Sequence, residues 1–276
     1  MLSGLRATLV PPNLLKVLST AAIFFVAASP AHSQATGVST APSYTAQSIV
    51  HAATQTAEAL APNTIATIYG TNLAFDTATA TSATLVGGDL PQSMDGVSVI
   101  VNGIIANLFY ISPTQINFLI PYQFTPSPVT VVVTRQGIAG PVVSIQLNAT
   151  APGLFIYNGF AIGTHLNGTL IDAASPASQG EIIVLYVVGL GHVTPDTVSG
   201  KIVTSAASIA AASQLQVLLS GTACPPGNIL YAGVAPGFAG LYQINMILPQ
   251  LTPPNPEIRI AVGPQISPPA VYLATH

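Results

Sequence analysis

The chain has 276 residues, of which only 5% are charged while half are hydrophobic, whereas soluble domains carry about 25% charged residues. So few basic side chains argue against a nucleic-acid partner, because binding to phosphates requires clusters of Lys and Arg that displace counterions. The 23 Gly and 24 Pro residues are too few for a disordered chain, and with many β-branched residues they predict a folded, turn-rich β protein.

The N-terminus, residues 1–33, has the pattern of a secretory signal peptide. Basic Arg6 and Lys16 precede an apolar run over residues 17–28, and Ser33 ends an Ala-His-Ser cleavage site. A membrane anchor is the alternative, but this run falls well short of the ~20 residues that span a bilayer. We therefore expect cleavage near Ser33, no transmembrane segment in the mature chain, and a periplasmic, cell-surface or secreted protein.

Cleavage would leave three basic residues against eight acidic ones, a formal charge of −5. The single Cys224 cannot form an internal disulfide, so stability must come from packing. No basic residue lies near Cys224 in the sequence to lower the pKa of its thiol, and we expect a buried or inert cysteine.

Residues 34–60 precede the first of two similar folded units, which are described below, and we call them the lead-in. The Ala-rich stretch at 48–62 is the best candidate for a helix, although it fits an extended segment equally. Everywhere else the helical period is weak.

A heptad occurs twice, as QINFLIP at 115–121 and QINMILP at 243–249. Similar blocks surround both heptads in the same order. The blocks are IATIYGTNL (65–73), VSVIVNG (97–103), LFYISPTQINFLIP (108–121) and VTVVVTRQG (129–137), then IIVLYVVGLG (182–191), LQVLLSG (215–221), ILYAGVAPGFAGLYQINMILP (229–249) and EIRIAVG (257–263). Copies of this length predict two homologous domains rather than a solenoid, whose repeats are usually about 20 to 50 residues long.

Each block has the pattern of a β-strand. In the first heptad Ile116, Phe118 and Ile120 alternate with Gln115 and Asn117, a period of two that directs the apolar set to a core. Pro and Gly residues bracket the runs, as turns do. Short strands in units of this size predict two tandem immunoglobulin-like β-sandwiches, at residues 61–151 and 152–276.

Two further features belong to the start of the second domain. Asn167-Gly168 predicts a hairpin turn, and the segment LFIYNG at 154–159 is expected to pack between the two domains.

The repeated amides are Gln115 with Asn117 and Gln243 with Asn245, and in each pair both side chains leave the same face of the strand. We expect each pair to bond backbone groups of a neighbouring loop or strand, because a buried amide without a partner costs about 1–3 kcal/mol. A ligand site is the alternative.

Six stretches carry a resemblance to a known family: APNTIATIYGTNLA, DGVSVIVNG, LFYISPTQINFLIP, APGLF, ASPASQGEIIVLYVVGLG and GLYQINMILP. Together they resemble the Solibacter-type C-terminal domain of acidobacterial secreted proteins, over residues 48–276. The IYGTNLA segment is also similar to the opening of the immunoglobulin-like (IPT/TIG) domains shared by plexins and transcription factors. The resemblance implies export and an immunoglobulin-like fold, and it supplies no catalytic residues.

A search for catalytic and metal-binding patterns predicts no enzyme, no cofactor and no metal. The chain lacks a G-x-S-x-G elbow, an H-E-x-x-H motif and clustered Cys and His. The nearest pair of imidazole and carboxylate is His192 with Asp196, which would suit a dyad or a metal ligand set. Asp172 and Glu181 offer oxygen ligands for calcium, but not in a compact loop.

Aromatic side chains flank both heptads. Tyr110, Tyr122 and Phe124 lie around the first heptad, and Tyr231 and Tyr242 around the second. Packing in cores and at strand edges is the first interpretation, and a binding surface for a ligand or partner is the second.

The function that best fits these observations is a non-catalytic module of the cell envelope, for adhesion or for contact with a protein or glycan. One alternative is a secreted hydrolase, or a hydrolase accessory, with a site near His192. Another is a structural subunit that assembles through its sheet edges, since few charges guard them.

Overall fold

The computed structural model describes residues 40–58 and 60–276. Within these residues the chain is almost entirely extended, and its helical segments are three single 3-10 turns, Ala46–Ser48, Ala212–Gln214 and Pro226–Asn228. The prediction of an all-β fold is therefore confirmed. The predicted signal peptide, residues 1–33, lies outside the described part of the chain.

The strands fall into two groups, which we call the first sandwich (β1–β10) and the second sandwich (β11–β23). The first group is β1 (Ile49–His51), β2 (Ile65–Tyr69), β3 (Ala78–Thr79), β4 (Val97–Val101), β5 (Ile104–Ile105), β6 (Asn107–Ile111), β7 (Gln115–Leu119), β8 (Ser127–Arg135), β9 (Ile138–Ala139) and β10 (Val143–Leu147). The second group is β11 (Gly153–Leu154), β12 (Ile156–Tyr157), β13 (Phe160–Ala161), β14 (Gly163–His165), β15 (Ile182–Val188), β16 (Val193–Thr194), β17 (Ser208–Ile209), β18 (Leu215–Leu219), β19 (Thr222–Ala223), β20 (Ile229–Val234), β21 (Tyr242–Ile247), β22 (Ile258–Val262) and β23 (Gln265–Ile266).

The first sandwich packs two antiparallel sheets over one core. One sheet has the order β1-β2-β7-β6-β3, and the other has the order β10-β8-β4-β5 with β9 paired to β8. Alternate residues of each strand point inward, so Ile68, Ile116 and Phe118 of one sheet meet Val99 and Val131 of the other in a single cluster. Burying each of these side chains contributes roughly 1.5–3 kcal/mol.

The second sandwich repeats this arrangement. Its larger sheet has the order β11-β15-β21-β20-β17-β16 with β14 paired to β15, and it faces the sheet β19-β18-β22-β23. Leu185, Ile244 and Met246 of the larger sheet share one core with Val217 and Ile260 of the smaller. The predicted repeat is thus a repeat of strand pairing, because β15-β21-β20 corresponds to β2-β7-β6.

Two local details recur in both sandwiches. A β-bulge interrupts the pairing of β6 with β7 between Leu108 and Tyr110, and another interrupts the pairing of β20 with β21 between Ile229 and Tyr231. Such bulges place one extra residue in one strand and increase its twist. The sandwiches differ in the side chains that line the central strand.

Neighbouring side chains on the central strands differ in size between the copies. Ala66 of β2 lies opposite Phe118 of β7, a small residue beside a large one. At the matching place in the second sandwich, Ile183 of β15 lies opposite Met246 of β21. All four side chains are fully buried.

The candidate at 48–62 forms no α-helix among its described residues, 48–58 and 60–62. Residues 49–51 form β1, which pairs with β2, and a turn follows. Pairing with a neighbouring strand overrides the helix propensity of the alanines.

The predicted turn at Asn167-Gly168 is present, since Gly168 has φ 85° and its N–H donates to His165 O at 2.9 Å. A second hairpin, at Asn158-Gly159, joins β12 to β13 and was not predicted.

The two sandwiches contact each other over the outer face of the larger second sheet. Val184 and Tyr186 of β15 share an apolar cluster with Ala52 of the lead-in, Leu241 and Phe155. We call this group the junction cluster. The cluster covers the face of β15 that points away from the core of the second sandwich, so both faces of this strand are buried.

Candidate functional site

The repeated heptad forms the central strand of each sandwich. β7 lies between β2 and β6, and β21 lies between β15 and β20. The apolar side chains of both strands enter the cores. The amide side chains leave the opposite face, and all four are 6% exposed or less.

Each amide pair is joined by a bond between its own two side chains. Gln115 Nε2 donates to Asn117 Oδ1 at 2.9 Å, and the hydroxyl of Thr67 donates to the same oxygen at 3.0 Å. In the second sandwich Gln243 Nε2 donates to Asn245 Oδ1 at 3.0 Å. The pair is therefore one hydrogen-bonded unit that occurs twice.

The second pair differs from the expectation of backbone partners. Among the described residues, Gln243 Oε1 and Asn245 Nδ2 are buried without a hydrogen-bond partner. Their cross-strand neighbours are Tyr186 and Val184, which belong to the junction cluster. The alternation of residues predicts which face the amides leave, but it does not show that an apolar cluster covers that face.

The predicted aromatic surface divides into packed and exposed members. Tyr242 is 0% exposed and donates its hydroxyl to Gly191 O. Tyr231 is half-buried, and its hydroxyl lies 3.2 Å from Ala207 O. Tyr110 is also half-buried, on β6. Tyr110 belongs to the first sandwich and the other two to the second, and Tyr242 is fully buried, so the structure does not assemble all five aromatic residues into one surface.

Tyr122 and Phe124, which follow β7, meet His192 and Asp196 of the second sandwich. The Tyr122 and His192 rings are edge to face, with centroids 6.5 Å apart and planes at 74°. His192 Nε2 lies 3.3 Å from Phe124 O, and His192 Nδ1 lies 3.1 Å from Asp196 Oδ2. We call these four residues the junction patch. Tyr122 with Phe124 and His192 with Asp196 are far apart in the sequence, and the fold places the two pairs side by side.

The junction patch is partly exposed to solvent, since Tyr122 and Phe124 are half-buried, and it is held by further bonds. Tyr122 N donates to Ser199 Oγ at 2.8 Å, and that hydroxyl lies 3.4 Å from Gln123 Oε1. The side chains of His192 and Asp196 are 37% and 42% exposed. The patch therefore presents an aromatic ring beside hydrogen-bonding groups of both kinds, the combination that Tyr provides at binding surfaces.

A second polar cluster, which we call the loop cluster, joins His165 of β14 to the loop before β15. His165 Nδ1 contacts Glu181 Oε1, and Glu181 Oε2 accepts from Ser178 N at 2.9 Å. Ser175 Oγ lies 3.1 Å from His165 Nε2. Asp172 Oδ1 accepts from Ser175 N at 2.9 Å, which fixes the turn that carries the hydroxyl. A hydroxyl, an imidazole and a carboxylate are thus connected in series.

His51, at the end of β1, is a buried histidine that the sequence did not single out as a functional residue. It is 3% exposed, and burial lowers its pKa to about 4, against the opposing effect of a bond to Ala151 O. Nothing in its sequence context marks it, because the residues that enclose it are distant in the chain. They come from the linker between β10 and β11, which we define as residues 148–152, from Gly153 of β11 and from Gly189, which follows β15. By contrast Cys224 is buried as expected, and burial raises the pKa of its thiol to about 11.

Two cavities that border the lead-in are small. One of 160 Å³ lies between the lead-in and β10, and one of 50 Å³ lies beside His51 and Pro152. Sites for drug-sized molecules usually measure about 300–1,000 Å³. Among the residues that the structure describes, no three His, Cys, Asp or Glu side chains group closely enough to hold a metal ion, and no helix is long and apolar enough to cross a membrane.

Comparison with protein families gives no matching family, and no curated protein matches the chain. The resemblance to the Solibacter-type family stays a prediction. Among solved structures, the chain is 9% identical to a Bacteroides ovatus protein of a mixed-linkage glucan utilization locus, SGBP-B, in complex with a mixed-linkage heptasaccharide. The TM-score is 0.32, over 79% of this chain and 43% of that one.

A second structure is a mouse coronavirus receptor-binding domain complexed with its murine receptor. It is 10% identical to this chain, with a TM-score of 0.19, over 79% of this chain and 95% of that one. Both likenesses are too distant to carry an argument about fold or function.

Proposed function

We propose that the chain is a non-catalytic module of the cell envelope or extracellular space, and that its junction patch binds a neutral glycan or an uncharged protein surface. The supporting observation is the meeting of Tyr122 with His192 and Asp196 at the solvent-exposed edge between the two sandwiches. A flat ring next to a carboxylate and an imidazole can stack on an apolar face while it bonds hydroxyl groups. The small number of charged residues favours an uncharged partner.

Location outside the cytoplasm rests on the signal-like residues 1–33. Fractionation of the native host would test this part by itself. Recovery of the full-length chain, with residues 1–33 uncleaved, in the cytoplasm would contradict it.

The binding proposal is tested with Tyr122→Ala. We expect the purified mature chain to bind a neutral oligosaccharide or an envelope protein, detected on a glycan array and by affinity capture, and we expect the variant to bind at least tenfold more weakly. Tyr272→Ala is the matched control, because Tyr272 is an exposed tyrosine of the second sandwich outside the patch. Equal loss in both variants, or binding unchanged by Tyr122→Ala, would contradict the proposal.

A second candidate function, hydrolysis of an ester, is favoured by the loop cluster. His165 Nε2 lies 3.1 Å both from Ser175 Oγ and from the carbonyl oxygen of the same residue. When His165 carries its proton on Nδ1 toward Glu181, this Nε2 can accept the proton of Ser175 Oγ, the order of groups in a nucleophile, base and orienting acid. Ser175 Oγ would attack the acyl carbon, and His165 would pass the proton to the leaving alcohol. Water would then release the acid from Ser175 by the same route.

A fluorophosphonate probe tests this alternative directly. Labelling of Ser175 that disappears in Ser175→Ala and in His165→Ala, but remains in Ser178→Ala, would support hydrolysis and contradict a non-catalytic role. Ser178 is a suitable control since it lies in the same loop and takes part through its backbone N–H. Absence of labelling would remove the alternative.

A further inference from the structure

The imidazole of His51 connects three segments near the boundary between the two sandwiches. Its Nε2 lies 3.1 Å from Ala151 O in the linker. Its Nδ1 accepts from the backbone N–H groups of Ala53 at 3.2 Å and Thr54 at 3.3 Å. Because Nδ1 accepts two N–H groups, the proton of the neutral ring belongs on Nε2, and all the hydrogen-bonding capacity of this tautomer is used.

Two glycines make room for the ring. A Cβ on Gly153 would lie 2.3 Å from His51 Cε1, and a Cβ on Gly189 would lie 1.8 Å from Ala151 O and 3.2 Å from His51 Nε2. Gly189 O also accepts the N–H of Ala151 at 2.7 Å, which ties the linker to the end of β15. The ring is therefore enclosed by the linker, by Gly153 of β11, by the residue that follows β15 and by its own turn.

The charged surroundings of His51 are sparse on every side. Its own segment contributes Glu58, an exposed residue that lines the 50 Å³ cavity beside the ring. The linker contributes Asn148 and Pro152 to the same cavity, and the β23 region contributes Gln265 and uncharged neighbours. The chain just after β15 contributes Gly189, which is uncharged. Glu58 is thus the one carboxylate lining this cavity, and neither ring nitrogen bonds it.

A second proton on His51 would be placed on Nδ1. The N–H groups of Ala53 and Thr54 already point at that atom, so three donors would face each other at a buried ring. The cost of burying a charge adds to this conflict. A turn of the ring toward the cavity would relieve both, and it would break the bond to Ala151 O.

We propose that His51 is an acid-sensitive latch, which holds the linker against the first sandwich while its imidazole is neutral and releases the linker when the imidazole is protonated. The neutral state is the native state at and above neutral pH. The folded site binds the proton more weakly than an exposed imidazole does, so acid favours the released state progressively as pH falls from about 6.5.

His192, in the junction patch, is the other histidine that contacts the opposite sandwich. Its two nitrogens face two acceptors, Phe124 O and Asp196 Oδ2, whereas Nδ1 of His51 faces two donors. An experiment on the latch must therefore separate these two histidines, and His192→Asn provides the control variant.

Hydrogen–deuterium exchange of the mature chain at pH 7 and pH 5, corrected for intrinsic exchange, tests the latch. In the wild type and in His192→Asn, we expect the opening constant for residues 149–155 to rise on the order of 20-fold from pH 7 to pH 5. The central strand β21 is the internal reference and should not change. In His51→Asn, which cannot titrate, the rise should disappear.

A rise that persists in His51→Asn, or no rise in the wild type, would overturn the latch. If His51→Asn fails to fold, nitrogen-15 spectra of the wild-type histidines decide the matter. We expect one buried ring with its proton on Nε2 that stays neutral down to about pH 5. A His51 ring that titrates near 6.5, or one with its proton on Nδ1, would refute the proposal.

Discussion

Gly153 lies so close to His51 that a Cβ on residue 153 would be 2.3 Å from the Cε1 atom of the imidazole. A contact of this length forces one of the two groups to move. Because His51 is buried and bonded at both nitrogens, the ring has little freedom to give way. The first prediction follows from this contact.

Gly153→Ala should destabilise the chain by about 1–3 kcal/mol, the usual cost of overpacking, measured as a lower melting temperature at pH 7.5. Gly227→Ala is the control, since a Cβ there meets nothing within 4 Å. Equal melting temperatures for the two variants would show that the linker adapts around the ring.

The free energy of unfolding should fall as the pH drops through the range between the unfolded and the folded pKa of His51. Burial lowers the pKa of His51 to about 4, against ~6.5 in an unfolded chain. Between these values the unfolded state therefore binds more protons than the folded state. The stabilisation that neutral His51 contributes is complete above about pH 6.5 and is lost toward about pH 4. Between pH 7 and pH 5.5 the loss should be about 1 kcal/mol. Urea unfolding of the wild type and of His51→Asn measures it, and equal pH dependence would contradict the assignment.

The two amide pairs should respond differently to mutation. Asn117 accepts bonds from Gln115 and Thr67, so Asn117→Ala leaves two buried donors without a partner and should cost about 1–3 kcal/mol for each lost partner. In the second pair, replacing both Gln243 and Asn245 by Leu should cost less than Asn245→Ala alone. The double change removes the two unpartnered atoms together with the bond. Chemical denaturation of the three variants gives the comparison.

Tyr44 should stabilise the first sandwich through its hydroxyl. Val133 N donates to Tyr44 Oη at 2.7 Å, and that hydroxyl donates to Pro141 O at 2.6 Å. Tyr44→Phe leaves a buried N–H of β8 without its acceptor and should lower stability by about 1–3 kcal/mol. Tyr69→Phe is the control, because its hydroxyl bonds an exposed amide. Similar thermal unfolding curves for the two variants would count against this role.

The strands and the repeat could be predicted from the sequence because their signals are local. Alternation in QINFLIP assigns Phe118 to the core, and Gly and Pro mark the turns. The environment of His51 could not be predicted, since the groups that enclose it are about 100 residues away in the chain. The apolar cover over Gln243 was missed for the same reason, because its cross-strand neighbour Tyr186 lies on a distant strand of the chain. Alternation identifies the face of a strand but not what packs against that face.

The central strands β7 and β21 are nearly identical and belong to one polypeptide. During folding, β2 and β15 can therefore each pair with the wrong one of these two strands. Adjacent homologous domains are prone to misassembly of this kind. Here side-chain volume distinguishes the partners. Ala66 opposite Met246 would leave a void where Phe118 belongs, whereas Ile183 opposite Phe118 would be overfilled. The small residue beside the large one in the first sandwich therefore favours correct assembly of the duplicated chain.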